Sequence, residues 1–138
     1  MQLKLSFQEI ENMIASKTGK HLPMTYGGTP HSVRISYDVN VIFKTTSVGL
    51  DITIDSIEGD NIYLSYGGGS GIEFMVRTAL SHYKDQPGAD IIEPLDGSRI
   101  LLRLGKNPQL AQLFERITLQ DIRFDEQGVM IDFVPKGL

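Results

Sequence analysis

Apolar and polar residues alternate through most of the stretch from His31 to Tyr66. From Val33 the apolar residues hold the odd positions: Val33, Ile35, Tyr37, Val39, Val41 and Phe43. Among the even positions there, Ile42 alone is apolar. Beyond Ser47 the parity changes, and Val48, Leu50, Ile52, Ile54, Ile62, Leu64 and Tyr66 fall on even numbers. A period of two is the signature of strands with one wet face and one buried face. It constrains the fold tightly, because a slip of one residue sends every apolar side chain to the wrong side.

The alternation also suggests a register. An even loop at Lys44-Thr45-Thr46-Ser47 pairs Phe43 with Val48, Val41 with Leu50, Val39 with Ile52 and Tyr37 with Ile54. The polar face then sets Asn40 opposite Asp51, Asp38 opposite Thr53 and Ser36 opposite Asp55. A strand over 32–44 would run roughly 43 Å at the usual rise per residue, which implies strong curl. The turn at Glu58-Gly59-Asp60-Asn61 needs an odd loop or a bulge to bring Ile54 opposite Leu64 and Ile52 opposite Tyr66. Asp96-Gly97 reads as a two-residue hairpin loop that pairs Ile91 with Leu102 and Ile92 with Leu101, with Pro94 confining its strand to an edge. Near the end, Phe124 faces Val129 and Ile122 faces Ile131. A parity change at Gln120-Asp121 predicts a bulge there, and Gly128 reads as a turn residue at positive φ.

Helices punctuate these strands. Leu3 and Leu5 suggest a short strand, followed by the capping box Ser6-Phe7-Gln8-Glu9. Ile10, Met13 and Ile14 make an apolar stripe, and Gly19 suits the C-terminal end, so a helix is expected at about Phe7 to Thr18. A short strand is expected at Leu22 to Tyr26. Ser70-Gly71-Ile72-Glu73 repeats the capping-box pattern. Ile72, Met75, Val76, Ala79, Leu80 and Tyr83 follow at helical spacing, which places a second helix at about Gly71 to Lys84. Asn107-Pro108 opens a short helix with Leu110, Leu113 and Phe114 on its apolar side. The expected architecture is α+β: a long, curved, largely antiparallel sheet with two main helices and one short helix packed on one face. At 138 residues it forms a single domain, residues 1–138.

Composition excludes several function classes. Seventeen acidic and 13 basic residues give a net charge of −4, and the basic residues are scattered, so a nucleic-acid partner is not expected. The absence of cysteine rules out thiolate catalysis, disulfides and cysteine-held metals. No apolar run is long enough to span a membrane or to serve as a secretory leader, so a cytoplasmic address is expected.

Candidates for chemistry are few. The glycine segment Gly67, Gly68, Gly69, Ser70 and Gly71 lacks the Lys-Ser/Thr of a phosphate-binding loop and departs from the dinucleotide pattern at Ile72. It reads as a hinge before the second helix. His21, His31 and His82 have neither the spacing of a metal site nor that of a catalytic pair, and are expected at the surface. Asp38, Asp51 and Asp55 share the polar face in the register above, which would suit a hydrolase only if two of them converged. No catalytic residue, metal or cofactor is assigned. The apolar inventory is the stronger lead. Tyr37, Val39, Val41, Ile52, Ile72, Met75 and Leu80 would line a groove between the sheet and the second helix.

The element order resembles half-modules of the tubular lipid-binding (BPI-like) superfamily. The shared pattern is the capped helix at Leu5-Ser6-Phe7-Gln8-Glu9-Ile10, the long meander, a helix after Tyr66 and a terminal hairpin over Leu119 to Phe133. The resemblance implies an apolar groove for lipid tails and no catalysis. The expected function is a non-enzymatic module that binds a lipid or other apolar small molecule. The alternative is an interaction module that forms a homodimer or docks a partner through its sheet.

Overall fold

The computed structural model describes residues 1–41, 43–69, 71–86 and 88–137, and of residues 39–41 and 46 the backbone alone. The chain runs β1 (Gln2–Ser6), α1 (Phe7–Thr18), β2 (Met24–Tyr26), β3 (Ser32–Val41), β4 (Lys44–Glu58), β5 (Asn61–Gly68), α2 (Ile72–Tyr83), β6 (Ile92–Leu95), β7 (Arg99–Arg103), α3 (Pro108–Phe114), β8 (Ile117–Phe124) and β9 (Gly128–Pro135). The architecture is α+β, and the sheets are antiparallel throughout the described pairs.

The strands divide into two sheets. A three-stranded sheet has the order β1-β9-β8, and a six-stranded sheet the order β2-β3-β4-β5-β7-β6. Two contacts join them near Pro30 and His31: the Phe124 amide donates to the Pro30 carbonyl at 2.6 Å, and His31 Nε2 lies 3.2 Å from Asp121 Oδ1. The Ile54 amide holds the His31 carbonyl within the larger sheet at 2.8 Å.

The first helix forms as its sequence predicts. Ser6 Oγ accepts from the Glu9 amide at 3.0 Å, Glu9 Oε1 accepts from the Ser6 amide at 3.1 Å, and Gly19 closes the helix at φ 72°. The stripe it buries is shifted, however. Phe7 and Glu11 are buried and Met13 is exposed. The inward face is therefore 7, 10, 11 and 14, one acid among apolar residues. Glu11 is accommodated because its Oε2 accepts from the Met24 amide at 3.3 Å and His21 lies 3.5 Å from its Oε1.

The long hairpin corrects the expected register. Tyr37 pairs with Val48, Ile35 with Leu50 and Val33 with Ile52, and the last pair before the turn is Val41 with Lys44. This is a slip of six residues from the expected pairing. The parity survives, because any even slip keeps apolar opposite apolar. Strand β3 therefore ends at Val41 rather than continuing to residue 44. Past β3, the meander behaves as expected: Ile54 opposes Leu64 and Ile52 opposes Tyr66, through a bulge at Asp55 rather than an odd loop. The bulge at residue 120 and the pairs Phe124–Val129 and Ile122–Ile131 are also present. The Asp96-Gly97 hairpin is corrected: Ile92 pairs with Leu102, and the loop takes three residues because Gly97 and Ser98 both adopt positive φ. Pro94 sits in β6, at the sheet edge.

Gly128 is corrected too. It is not among the positive-φ residues. A Cβ there would strike the Leu5 carbonyl oxygen and come within 2.7 Å of Ser6 Cα, so glycine is needed for the close approach of β1.

One face of the larger sheet is apolar across its strands, from Val33 and Ile52 through Leu64 to Ile100 and Pro94. The second helix lies on this face, where the Tyr37 hydroxyl reaches Met75 Sδ at 3.9 Å. The core is small: Val33, Ile62, Ile72 and Leu101 in the larger sheet's half, and Phe7, Leu119 and Val129 in the other.

Candidate functional site

Helix α2 is covered along one stripe, where Met75, Val76 and Leu80 are half-buried. Ile72 is buried, whereas Phe74 is 74% exposed and Tyr83 42% exposed. Its N-cap is Gly71 at φ 85°, with no side-chain cap bond, and Ser70, the expected cap, lies outside the described residues. A left-handed glycine lets the chain turn sharply from the preceding segment into the helix. The C-terminal half of α2 lies beside the edge strand β6. Between them is a cleft of about 520 Å³. Leu80, Tyr83, Ala89, Ile92 and Pro94 supply its apolar wall, and Arg77, Lys84 and Asp90 stand at its rim. Arg77 also bonds Glu73 one turn back at 3.0 Å. The volume is in the range of small-molecule pockets, but the cleft is open to solvent.

The residues expected to line a groove separate into three places. Leu80 lines the cleft. Tyr37, Ile52 and Met75 are half-buried, and Ile72 is buried under the start of α2. Val39 and Val41 lie in the outer part of the long hairpin, and their side chains are outside the described residues. Of the expected hinge, Gly67 and Gly68 belong to β5 and pair with Asp51 and Leu50, leaving Gly69 and Gly71 for the connection among the described residues. Sequence reasoning missed Ile92 and Pro94 as cleft residues. Their signal was the edge-strand proline, which marks where a sheet stops and a neighbour has room.

A second feature is polar. His31 Nε2 meets Asp121 Oδ1, Arg123 Nε lies 3.8 Å from Asp121 Oδ2, and Arg123 Nη2 donates to Asp132 Oδ2 at 2.8 Å. Gln2 adds a bond to Asp132 at 3.0 Å. The chain of groups spans the small sheet and anchors it at the junction. His31, expected merely at the surface, is thus a joint residue. Ninety positions separate it from Asp121, and no local pattern announces such a pair.

The meander acids do not converge. Arg34 binds Asp51 through both carboxylate oxygens, at 2.9 and 3.1 Å. Asp38 accepts from Ser47 Oγ at 2.7 Å, and Asp55 accepts from Ser65 Oγ. Asp38 opposes Ser47, four residues from Asp51 along β4, which is about 13 Å of strand. Asp55 lies four residues further, and the expected pairs Asn40–Asp51, Asp38–Thr53 and Ser36–Asp55 are replaced by Asn40–Thr45, Asp38–Ser47 and Ser36–Gly49. Among the described residues no group of His, Asp and Glu could hold a metal ion.

No family model matches the chain, and no curated protein or solved structure matches it either. The fold and the site therefore stand on their own geometry. Among the described residues no helix is long and apolar enough to cross a membrane, which says nothing of a β-barrel.

Proposed function

We propose that the chain is a non-catalytic interaction module, associating with a second copy or another protein through its larger sheet and the hairpin that extends from it. One observation carries this reading. The chain exposes 9159 Å² of surface, whereas a folded monomer of 15.3 kDa exposes about 7,100 Å² by the usual scaling. The surplus, roughly 2,000 Å², exceeds the ~800 Å² that each partner contributes to a standard interface. None of the described side chains is completely buried, and Phe43, Phe74 and Tyr83 are exposed. Sedimentation velocity over a range of concentrations tests the proposal. A mass above 15.3 kDa, growing with concentration or fixed by a partner, is expected. A chain that stays monomeric throughout, and retains no partner, would overturn it.

The cleft beside α2 favours a second reading, the binding of a lipid-like apolar ligand, which the pattern resemblance to the tubular lipid-binding superfamily also suggests. Its support is the apolar wall of Leu80, Ile92 and Pro94 beside a rim of Arg77, Lys84 and Asp90. Native mass spectrometry of freshly purified protein tests it: an added mass of a few hundred daltons, lost on delipidation, is the expected signal, and a bare chain mass counts against it.

A further inference from the structure

Beyond Leu50, β4 leaves its neighbour β5, whose last pair is Gly68 with Leu50. On the other side, β2 accompanies β3 only up to the pair Met24–Ile35. From Tyr37 to Val41, and from Lys44 back to Val48, the two strands therefore pair only with each other. They form a two-stranded arm that reaches about 13 Å past the sheet. An isolated ribbon of this kind is marginal in water. At its apex Phe43 is 107% exposed and holds φ 63°. A bulky residue in the left-handed region is a strained one. Strain and full exposure together present an aromatic ring to whatever lies beyond the arm.

The same chain carries a hole suited to such a ring. The α2–β6 cleft offers the Tyr83 ring, the aliphatic Leu80 and Pro94, and the cations Arg77 and Lys84 at its rim. Aromatic pairing and cation–π attraction both select an aromatic occupant over a plain acyl chain. Asp90 at the rim is the natural counter-charge for Lys44, which follows Phe43. The arm cannot fill its own cleft. Its base touches α2 through Tyr37 and Met75 and its apex points away into solvent, while the cleft lies at the far end of the helix.

Resting on the reading of this chain as an interaction module, we propose that Phe43 of one copy docks into the α2–β6 cleft of a second copy, reciprocally, forming a closed two-fold dimer. Reciprocal exchange repeats one contact twice and leaves no open end, whereas a one-way joint would propagate. The surplus surface of each chain is larger than such an interface needs.

Light scattering on the full chain and its variants tests this. The wild type is expected at twice 15.3 kDa. Phe43→Ser and Leu80→Arg should each weaken association at least tenfold with an unchanged circular dichroism spectrum. Mixing the two should restore a heterodimer, because one intact ring then meets one intact cleft. The absence of cysteine allows a direct check that leaves the ring and the apolar wall intact: Lys44→Cys/Asp90→Cys should form an interchain disulfide under mild oxidation. A wild-type dimer that tolerates Phe43→Ser and forms no such cross-link overturns the arm-and-cleft joint and leaves the interaction module standing. A wild type that is monomeric at every concentration and binds no partner overturns both. A monomer that carries a lipid mass assigns the cleft to a ligand instead.

Discussion

Single residues carry the strongest physical constraints in this chain, and they were unevenly legible. Gly128 was visible as a required glycine, yet the reason lay in β1, more than a hundred positions away. Gly128→Ala should lower the thermal midpoint, by destabilising the fold on the order of 1–3 kcal/mol as overpacking does, because backbone lines the site and cannot yield. Glu11 was hidden inside an otherwise apolar helical stripe. It is buried and accepts from the Met24 amide. Glu11→Ala leaves that amide without its acceptor and should cost about 1–3 kcal/mol in urea unfolding, whereas Glu11→Gln keeps an acceptor oxygen and should lose less. Phe43 is the opposite case. Phe43→Gly relieves a left-handed conformation worth about 1–2 kcal/mol per residue, so the monomer should melt higher while self-association falls. A variant that gained neither stability nor lost association would count against a functional role for this strained position.

At the level of elements, what could be read was whatever local chemistry decides. The first helix is bounded by a capping box and an αL glycine, and both ends lie within a few residues of their causes. Ser6→Ala should therefore destabilise the fold by about 1 kcal/mol, seen as a lower urea midpoint at unchanged slope. The arm shows the limit of this kind of reading. Alternation determines which residues share a face but not which of several even slips is taken. The choice falls to the loop, and a loop with a phenylalanine at positive φ has no recognised turn signature. The bulge at residue 120 could be inferred because apolar parity breaks there and must be restored, whereas the odd count needed between β4 and β5, expected at the Glu58–Asn61 turn, is taken up at Asp55. The cleft beside α2 could not be inferred, since its stripe of Ile72, Met75, Val76 and Leu80 reads as fully packed, whereas Leu80 lines an opening toward Ile92 and Pro94.

In the molecule as a whole, two small cores are held together by few contacts. Phe7, Leu119 and Val129 serve the three-stranded sheet; Val33, Ile62 and Ile72 serve one face of the six-stranded one, and Leu101 lies on its other face. The bonds at Pro30 and His31 connect them. Local opening should follow this division, because opening free energy tracks the apolar burial of each segment. Amide hydrogen exchange on dilute protein is expected to be slowest in β5, β7 and β9, whose residues Ile62, Leu101 and Val129 are buried. It should be fastest in α2 beyond Met75 and in the arm, where the described side chains are exposed or half-exposed. Concentration then separates two explanations of the surplus surface. If that surface exists to be covered by a second copy, amides of the arm and of α2 gain protection together as concentration rises, while β9 is unchanged. If the surface is merely solvated, exchange in both segments stays independent of concentration. Coupled protection of two elements that do not share a hydrogen-bonded ladder within one chain is the outcome that only an intermolecular joint produces.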